Sequence, residues 1–218
     1  VPYRYTDTEW GLREKKLQTD LRRGSYVWKA PIENYDRDFA GLSSPEIIID
    51  RDGTDRAVVL AEELLGDILK VRLRNAWWWT LGMTWDFVKL RGLENLMTDM
   101  IDQPDNVHRL MDFLSNGLMK KIDFLEKEGL LSSNTSGTYV GSGGFGWTRQ
   151  LPEKNSGRGQ VAAGEMWGFA ESQETVGVSP EMFGEFIFPY QLPILDRFGL
   201  NYYGCCEPLD KRWHIIRD

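Results

Sequence analysis

Cysteine is almost missing from this sequence: 218 residues contain two, Cys205 and Cys206, and they are neighbours. Adjacent cysteines rarely reach the geometry of an unstrained disulfide, which excludes a disulfide framework. Two thiols kept reduced fit a reducing compartment, where metal binding or plain burial remain as their uses. Long apolar runs are missing as well. No stretch approaches the roughly 18 to 20 residues that span a bilayer, and Val1, Pro2, Tyr3 and Arg4 form no signal-peptide core, so a cytoplasmic location without membrane partners is expected. Positive charge is in deficit, with 26 Lys and Arg against 33 Asp and Glu and a formal net charge of −7. A nucleic acid or an anionic membrane needs a basic field to replace its counterions, so neither is an expected partner.

What is present is enough apolar material for one well-filled domain over residues 1–218, with 41% hydrophobic residues and nine tryptophans. Indoles at that frequency serve a core, and they also suit the walls of a site for a flat ligand. Residues 1–45 mix charge with Tyr3, Tyr5, Trp10, Tyr26 and Trp28 without a sustained period, and Thr8 to Leu21 reads as a helix candidate. Beyond that segment the pattern sharpens. Ile47 to Ile49 is a β-branched run, Thr54 is placed to cap a helix that stops at Gly66, and Ile68 to Trp78 reads as a strand entering a tryptophan-rich loop.

The clearest helix opens at Asp102-Gln103-Pro104, with Val107, Leu110, Met111, Leu114, Leu118, Ile122 and Leu125 spaced by three and four to draw one buried stripe, and Gly129 closes it. Thr138 to Val140 and Val161 to Ala170 are strand candidates. Between them, Gly141 to Gly146 matches neither a dinucleotide fingerprint nor a phosphate loop and is expected to be a flexible loop at an active site. Ser179-Pro180-Glu181 starts a helix with a capping hydroxyl, a first-turn proline and a favourably placed acid. That helix ends near Gly199, and Leu200 to Tyr203 forms a short strand before a last helix. Strand and helix thus alternate about four times, an α/β pattern that predicts parallel strands with crossover helices, in an open sheet or a closed barrel.

Three segments in order resemble the uroporphyrinogen decarboxylase superfamily. The first is Trp79-Thr80-Leu81-Gly82-Met83-Thr84-Trp85-Asp86 with Arg91-Gly92-Leu93-Glu94 and Asp102-Gln103-Pro104. The second is Gln173 followed by Ser179-Pro180-Glu181-Met182-Phe183 and Pro189-Tyr190. The third is Phe198-Gly199-Leu200 leading into Tyr203-Gly204-Cys205-Cys206-Glu207. The resemblance implies a (β/α)8 barrel of TIM type, here an incomplete one of about four βα units plus the N-terminal segment, because a whole barrel takes ~250 residues. It is closer to the corrinoid-dependent methyltransferases than to the decarboxylases. The arginine-rich motif that grips a decarboxylase substrate has no copy between Tyr3 and Arg23, Gly168 and Phe169 stand where the family often carries an acidic pair, and Tyr203 fills the histidine position of the methyltransferase metal motif.

The activity so implied moves a methyl group between a small methoxy or methylthiol compound and a corrinoid carried on a partner protein, with zinc as a Lewis acid. Cys205 and Cys206 are the candidate metal ligands, and Glu207 beside them a candidate catalytic group, at the strand end where such barrels carry their chemistry. Alternation along a strand lets one cysteine at most face the site, and the other reading of the pair is a small core residue with an idle neighbour. Glu171 and Gln173 are candidate catalytic groups at the preceding strand end, although glutamates on loops are usually just solvated. Trp77, Trp78, Trp79 and Tyr203 are candidate substrate contacts, with packing between barrel and helices as the rival reading. His108 and His214 are expected to be structural. Two other functions stay open: a cofactor-free uroporphyrinogen decarboxylase, and an inactive piece that binds a ligand or partner. A truncated barrel with exposed strand edges also favours a homo-oligomer.

Overall fold

The computed structural model describes residues 1–13, 15–18, 26–151 and 161–217. The N-terminal part holds β1 (Tyr5–Asp7), β2 (Lys15–Gln18), β3 (Tyr26–Lys29), the single-turn helix α1 (Tyr35–Asp38) and β4 (Ile47–Ile49). β1 lies antiparallel to β4 with Tyr5 opposite Ile49, and β2 lies antiparallel to β3. The helix expected over Thr8 to Leu21 does not form. Glu9 and Gly11 take left-handed backbone (φ 57 and φ 83), which turns the chain, and Lys15–Gln18 is a strand. Glu14 and residues 19–21 of that expectation lie outside the described residues.

Helix α2 (Arg51–Leu65) ends at Gly66 as its sequence predicts, but its cap is Asp50, whose carboxylate accepts from the Gly53 amide at 2.9 Å. The Thr54 hydroxyl instead donates to the Asp50 carbonyl and accepts from the Arg4 amide, tying the helix start to the first strand. Residues 68–78 are not a strand. No strand among the described residues pairs with them, and Trp77 is drawn into the core, where its Nε1–H donates to the Leu130 carbonyl at 3.0 Å.

Helices α3 (Thr84–Arg91), α4 (Leu93–Asp102) and α5 (Pro104–Lys127) follow. The expected stripe on α5 is buried at every position, and each such side chain contributes about 1.5–3 kcal/mol. Gly129, at φ 66, ends the run as expected. Beneath α3 and α4, Asp99 accepts from Tyr35 Oη at 2.8 Å and from Arg91 Nε at 2.7 Å, a buried knot that ties the N-terminal part to the helices.

Next come β5 (Ser136–Gly141) and β6 (Gly144–Trp147), an antiparallel hairpin turned by Ser142 and Gly143, both at positive φ. The flexible active-site loop expected over Gly141 to Gly146 is instead a tight turn and a strand. Of the strand expected over Val161 to Ala170, β7 (Trp167–Ala170) is formed. Ser179 caps α6 (Pro180–Phe186) by accepting from the Met182 amide, and α7 (Phe188–Leu195) restarts after Ile187, where Pro189 removes a donor and splits the one helix expected here. β8 (Leu200–Tyr203) and α8 (Trp213–Arg217) complete the chain.

β7 and β8 are parallel, with Trp167 opposite Leu200 and Ala170 opposite Tyr203, and α6 and α7 form their crossover. Among the described residues the fold is mixed α/β, with one parallel pair and three antiparallel ones, so the alternation that predicts parallel strands throughout is realised once. Antiparallel hairpins close over short loops and need no crossover, which periodicity along the chain does not reveal. No helix among the described residues is long and apolar enough to cross a membrane.

Candidate active site

The chain leaves β7 and β8 side by side, and the Gly204 amide donates to the Ala170 carbonyl at 2.9 Å to hold the two exits together. Everything that follows each strand therefore meets at one end of the pair. Beyond Ala170 come Glu171, Ser172 and Gln173, and beyond Gly204 come Cys205, Cys206 and Glu207.

Glu207 is held by three hydrogen bonds. Its Oε1 accepts from the Ser172 amide at 2.8 Å, and its Oε2 accepts from the Ser172 hydroxyl at 2.8 Å and from Arg212 Nη1 at 3.1 Å. Arg212 also donates from Nη1 to Ser172 Oγ and from Nη2 to the Thr175 carbonyl, while its guanidinium lies 4.6 Å from the centre of the Phe183 ring. The ion pair is buried on both sides. A carboxylate so engaged is fixed in place, so Glu207, expected as a catalytic group, braces the strand exits.

Glu171 is the opposite case. It is fully buried, its Oε2 accepts from the Gln173 amide at 2.9 Å, and its Oε1 is buried with no hydrogen-bond partner. The Thr80 hydroxyl stands close enough to favour the charge but outside hydrogen-bonding geometry. Burial, together with the nearby carboxylates of Glu174 and Glu207, pushes its pKa up to about 7. Glu174 itself is held by the Thr84 hydroxyl at 2.7 Å and Gln173 Nε2 at 3.3 Å, so Gln173 helps hold this second acid.

Gln191 on α7 was not distinguished by sequence, and it joins the two walls of the site. Its Nε2 donates to the Gly82 carbonyl at 2.7 Å and the Glu171 carbonyl at 3.0 Å, and its Oε1 accepts from Tyr203 Oη at 2.6 Å. Tyr203, expected to contact substrate, is engaged inside this network, and burial raises its pKa above the usual phenol range. Ser172, Thr175, Gln191 and Arg212 were missed for one reason: each acquires its role through contacts that no local pattern encodes.

The three consecutive tryptophans part ways. Trp77 is buried, Trp78 is half-buried edge-on to Phe198, and Trp79 is exposed with its ring edge-on to Phe169 of β7. All three line a cleft of about 320 Å³ that also reaches Thr80 and Trp85. Four residues other than glycine adopt positive φ among the described residues, and they are Glu9 on this cleft, Met83 after Gly82, Ser142 beside Cys205, and Cys206.

The two sulfurs lie 3.6 Å apart, with Cys205 half-buried and Cys206 exposed. A hydrogen bond with Ser142 lowers the Cys205 pKa, but burial, the Cys206 thiol and the Glu171 charge outweigh it and the net shift is upward. Zinc bonds of about 2.3 Å would set two sulfurs roughly 3.8 Å apart, so the pair has the right bite. Among the described residues no third ligand joins the pair: His108 is bound to Tyr190 Oη at 2.8 Å and stacked on Phe186, His214 lies exposed on α8, and Glu207 is held by Ser172 and Arg212. No three His, Cys, Asp or Glu side chains among the described residues are grouped to hold a metal. Catalytic zinc takes three protein ligands, so the donor set here does not fit the zinc expected at Cys205 and Cys206.

Comparison with protein-family models, curated proteins and solved structures finds no match to this chain.

Proposed function

We propose that the chain is an enzyme, a methyltransferase that passes a methyl group between a small molecule and a corrinoid held by a partner protein, working at the shared end of β7 and β8. In this reading those strands are neighbours in an incomplete barrel. The observation that carries it is Glu171: a fully buried carboxyl with one unsatisfied oxygen and a pKa near 7, at the strand end where barrel enzymes keep their chemistry. A group so poised offers a proton to a departing oxygen or a negative charge to a cationic donor, at neutral pH and without metal assistance.

The corrinoid, when present, supplies the nucleophile that takes up the methyl group. The protein's own part is to exclude water around Glu171, to hold the strand exits rigid through Ser172, Glu207 and Arg212, and to present the substrate against the tryptophan-lined wall. Three carboxylates, Glu171, Glu174 and Glu207, share this end, an environment hostile to a substrate bearing several carboxylates of its own. That favours methyl transfer over decarboxylation of a tetrapyrrole.

The test is methyl transfer to cob(I)alamin from small methyl donors, comparing the native protein with Glu171→Gln. Transfer that falls at least tenfold in the variant supports the reading. No transfer by the native protein, or formation of coproporphyrinogen from uroporphyrinogen, overturns it.

A further inference from the structure

The cleft beside Glu171 is walled by five indoles, Trp10, Trp77, Trp78, Trp79 and Trp85, in a volume of about 320 Å³, at the small end of the range for ligand sites. Trp10 and Trp77 are buried, and the Trp77 N–H is already engaged with Leu130, so that ring has an apolar face and no free donor to offer. Trp79 and Trp85 remain 43% and 39% exposed. Both therefore leave indole surface in the cleft that a ligand would cover.

The charges on the lining choose the ligand. Three carboxylates, Asp7, Glu9 and Asp86, face two ammonium groups. Each ammonium is neutralised within the cleft, Lys121 by Asp7 at 2.7 Å and Lys89 by Asp86 at 3.1 Å. Glu9 is left in excess. It pairs with Arg13 at 3.6 Å, off the cleft wall, in an exposed and therefore weak pair. Indole faces are negative, and a cage of them with surplus negative charge is the environment that recognises a quaternary ammonium, which has no N–H to be satisfied.

We infer that the tryptophan-walled cleft binds the trimethylammonium head of a small quaternary amine, and that this cation is the methyl donor. The second half rests on the methyltransferase reading above. Thr80 lines the cleft and also stands beside the Glu171 carboxyl, and Trp79 packs on Phe169 two residues before it, so Thr80 separates a cation bound in the cleft from the buried acid. The chemistry balances without a metal. One C–N bond breaks with its electron pair staying on nitrogen, the methyl group goes to the reduced corrinoid acting as a two-electron nucleophile, and a neutral tertiary amine leaves without taking up a proton. A donor that departs this way needs no Lewis acid, in keeping with a thiol pair that lacks a third ligand.

Calorimetric titration with choline and with its uncharged isostere 3,3-dimethylbutan-1-ol tests the cleft. Choline should bind roughly tenfold or more tightly than the isostere, Trp79→Ala and Trp85→Ala should each weaken it severalfold, and Trp79→Phe should retain most of the affinity. Circular dichroism of each variant reports whether the fold survives. Equal binding of the two probes, or no binding of choline, overturns the cleft assignment even if methyl transfer from another donor is seen. Incubation with choline and cob(I)alamin should yield methylcobalamin and dimethylethanolamine in equal amounts. Choline binding without that product leaves the cleft assignment standing and overturns both the donor role and the transfer reading for this substrate class.

Discussion

Gly82 and Glu171 are pressed so closely together that a Cβ on Gly82 would stand 2.0 Å from the Glu171 carbonyl oxygen. Gln191 reaches across the same contact and donates to both carbonyls, tying the loop that walls the cleft to the strand end that carries the acid.

Gly82→Ala therefore drives a methyl group into backbone that has no freedom to yield. A loss of about 1–3 kcal/mol is expected from urea denaturation, with the upper end favoured because the obstacle is main chain. Gln191→Leu keeps the volume but leaves the Tyr203 hydroxyl without its 2.6 Å acceptor and two buried carbonyls without this donor, and a cost of about 1–3 kcal/mol is expected there too.

The raised pKa of Glu171 has a definite sign in stability. Between its ordinary value of 4.5 and about 7, the folded protein holds a proton that the unfolded chain has released, so this group makes stability fall as pH rises through that window and leaves it level above. Glu171→Gln keeps an acceptor for the Gln173 amide and removes the buried charge. The variant should match the native protein near pH 4.5 and exceed it by on the order of 2–3 kcal/mol at pH 8, measured by denaturation across that range. Equal pH profiles for the two proteins would refute a raised pKa.

Arg212 and Glu207 form a buried pair, and removing one partner strands the other. Arg212→Met is expected to cost about 3–5 kcal/mol, while combining it with Glu207→Gln should recover a substantial part of the loss. A double-mutant cycle in urea measures the coupling. Additive losses would show that Glu207 is braced chiefly by Ser172.

Cys206 is exposed, whereas Cys205 is half-buried with a raised pKa, so iodoacetamide at pH 7.5 should modify Cys206 first. Peptide mapping after partial labelling reads the order directly. Stoichiometric zinc retained after dialysis and lost in Cys205→Ser would contradict the two-sulfur account.

Much of the skeleton was legible residue by residue. The stripe on α5 emerges from spacings of three and four, the Ser179-Pro180-Glu181 start is a local hydrogen-bonding problem with a local answer, and Leu200 to Tyr203 forms the strand its sequence predicts. Glu171, Gln173, Cys205 and Glu207 were identifiable as residues near strand ends for the same reason, since chain order alone places them after β7 and β8. Their roles were not. Whether Glu207 is a free acid or a brace depends on Arg212 and Ser172, and whether Tyr203 meets a ligand depends on Gln191.

The sequence by itself determined the α5 stripe, the helix stops at Gly66 and Gly129, the Ser179 cap and the Leu200 to Tyr203 strand, because these depend on periodicity and on hydrogen bonds between residues a few positions apart. Only the tertiary structure decided which strands pair parallel, which of three adjacent tryptophans is buried, and which glutamate keeps an unsatisfied oxygen. Those outcomes are set by desolvation and by partners tens of residues away, and the same side chain takes a different charge and function according to what the fold places beside it.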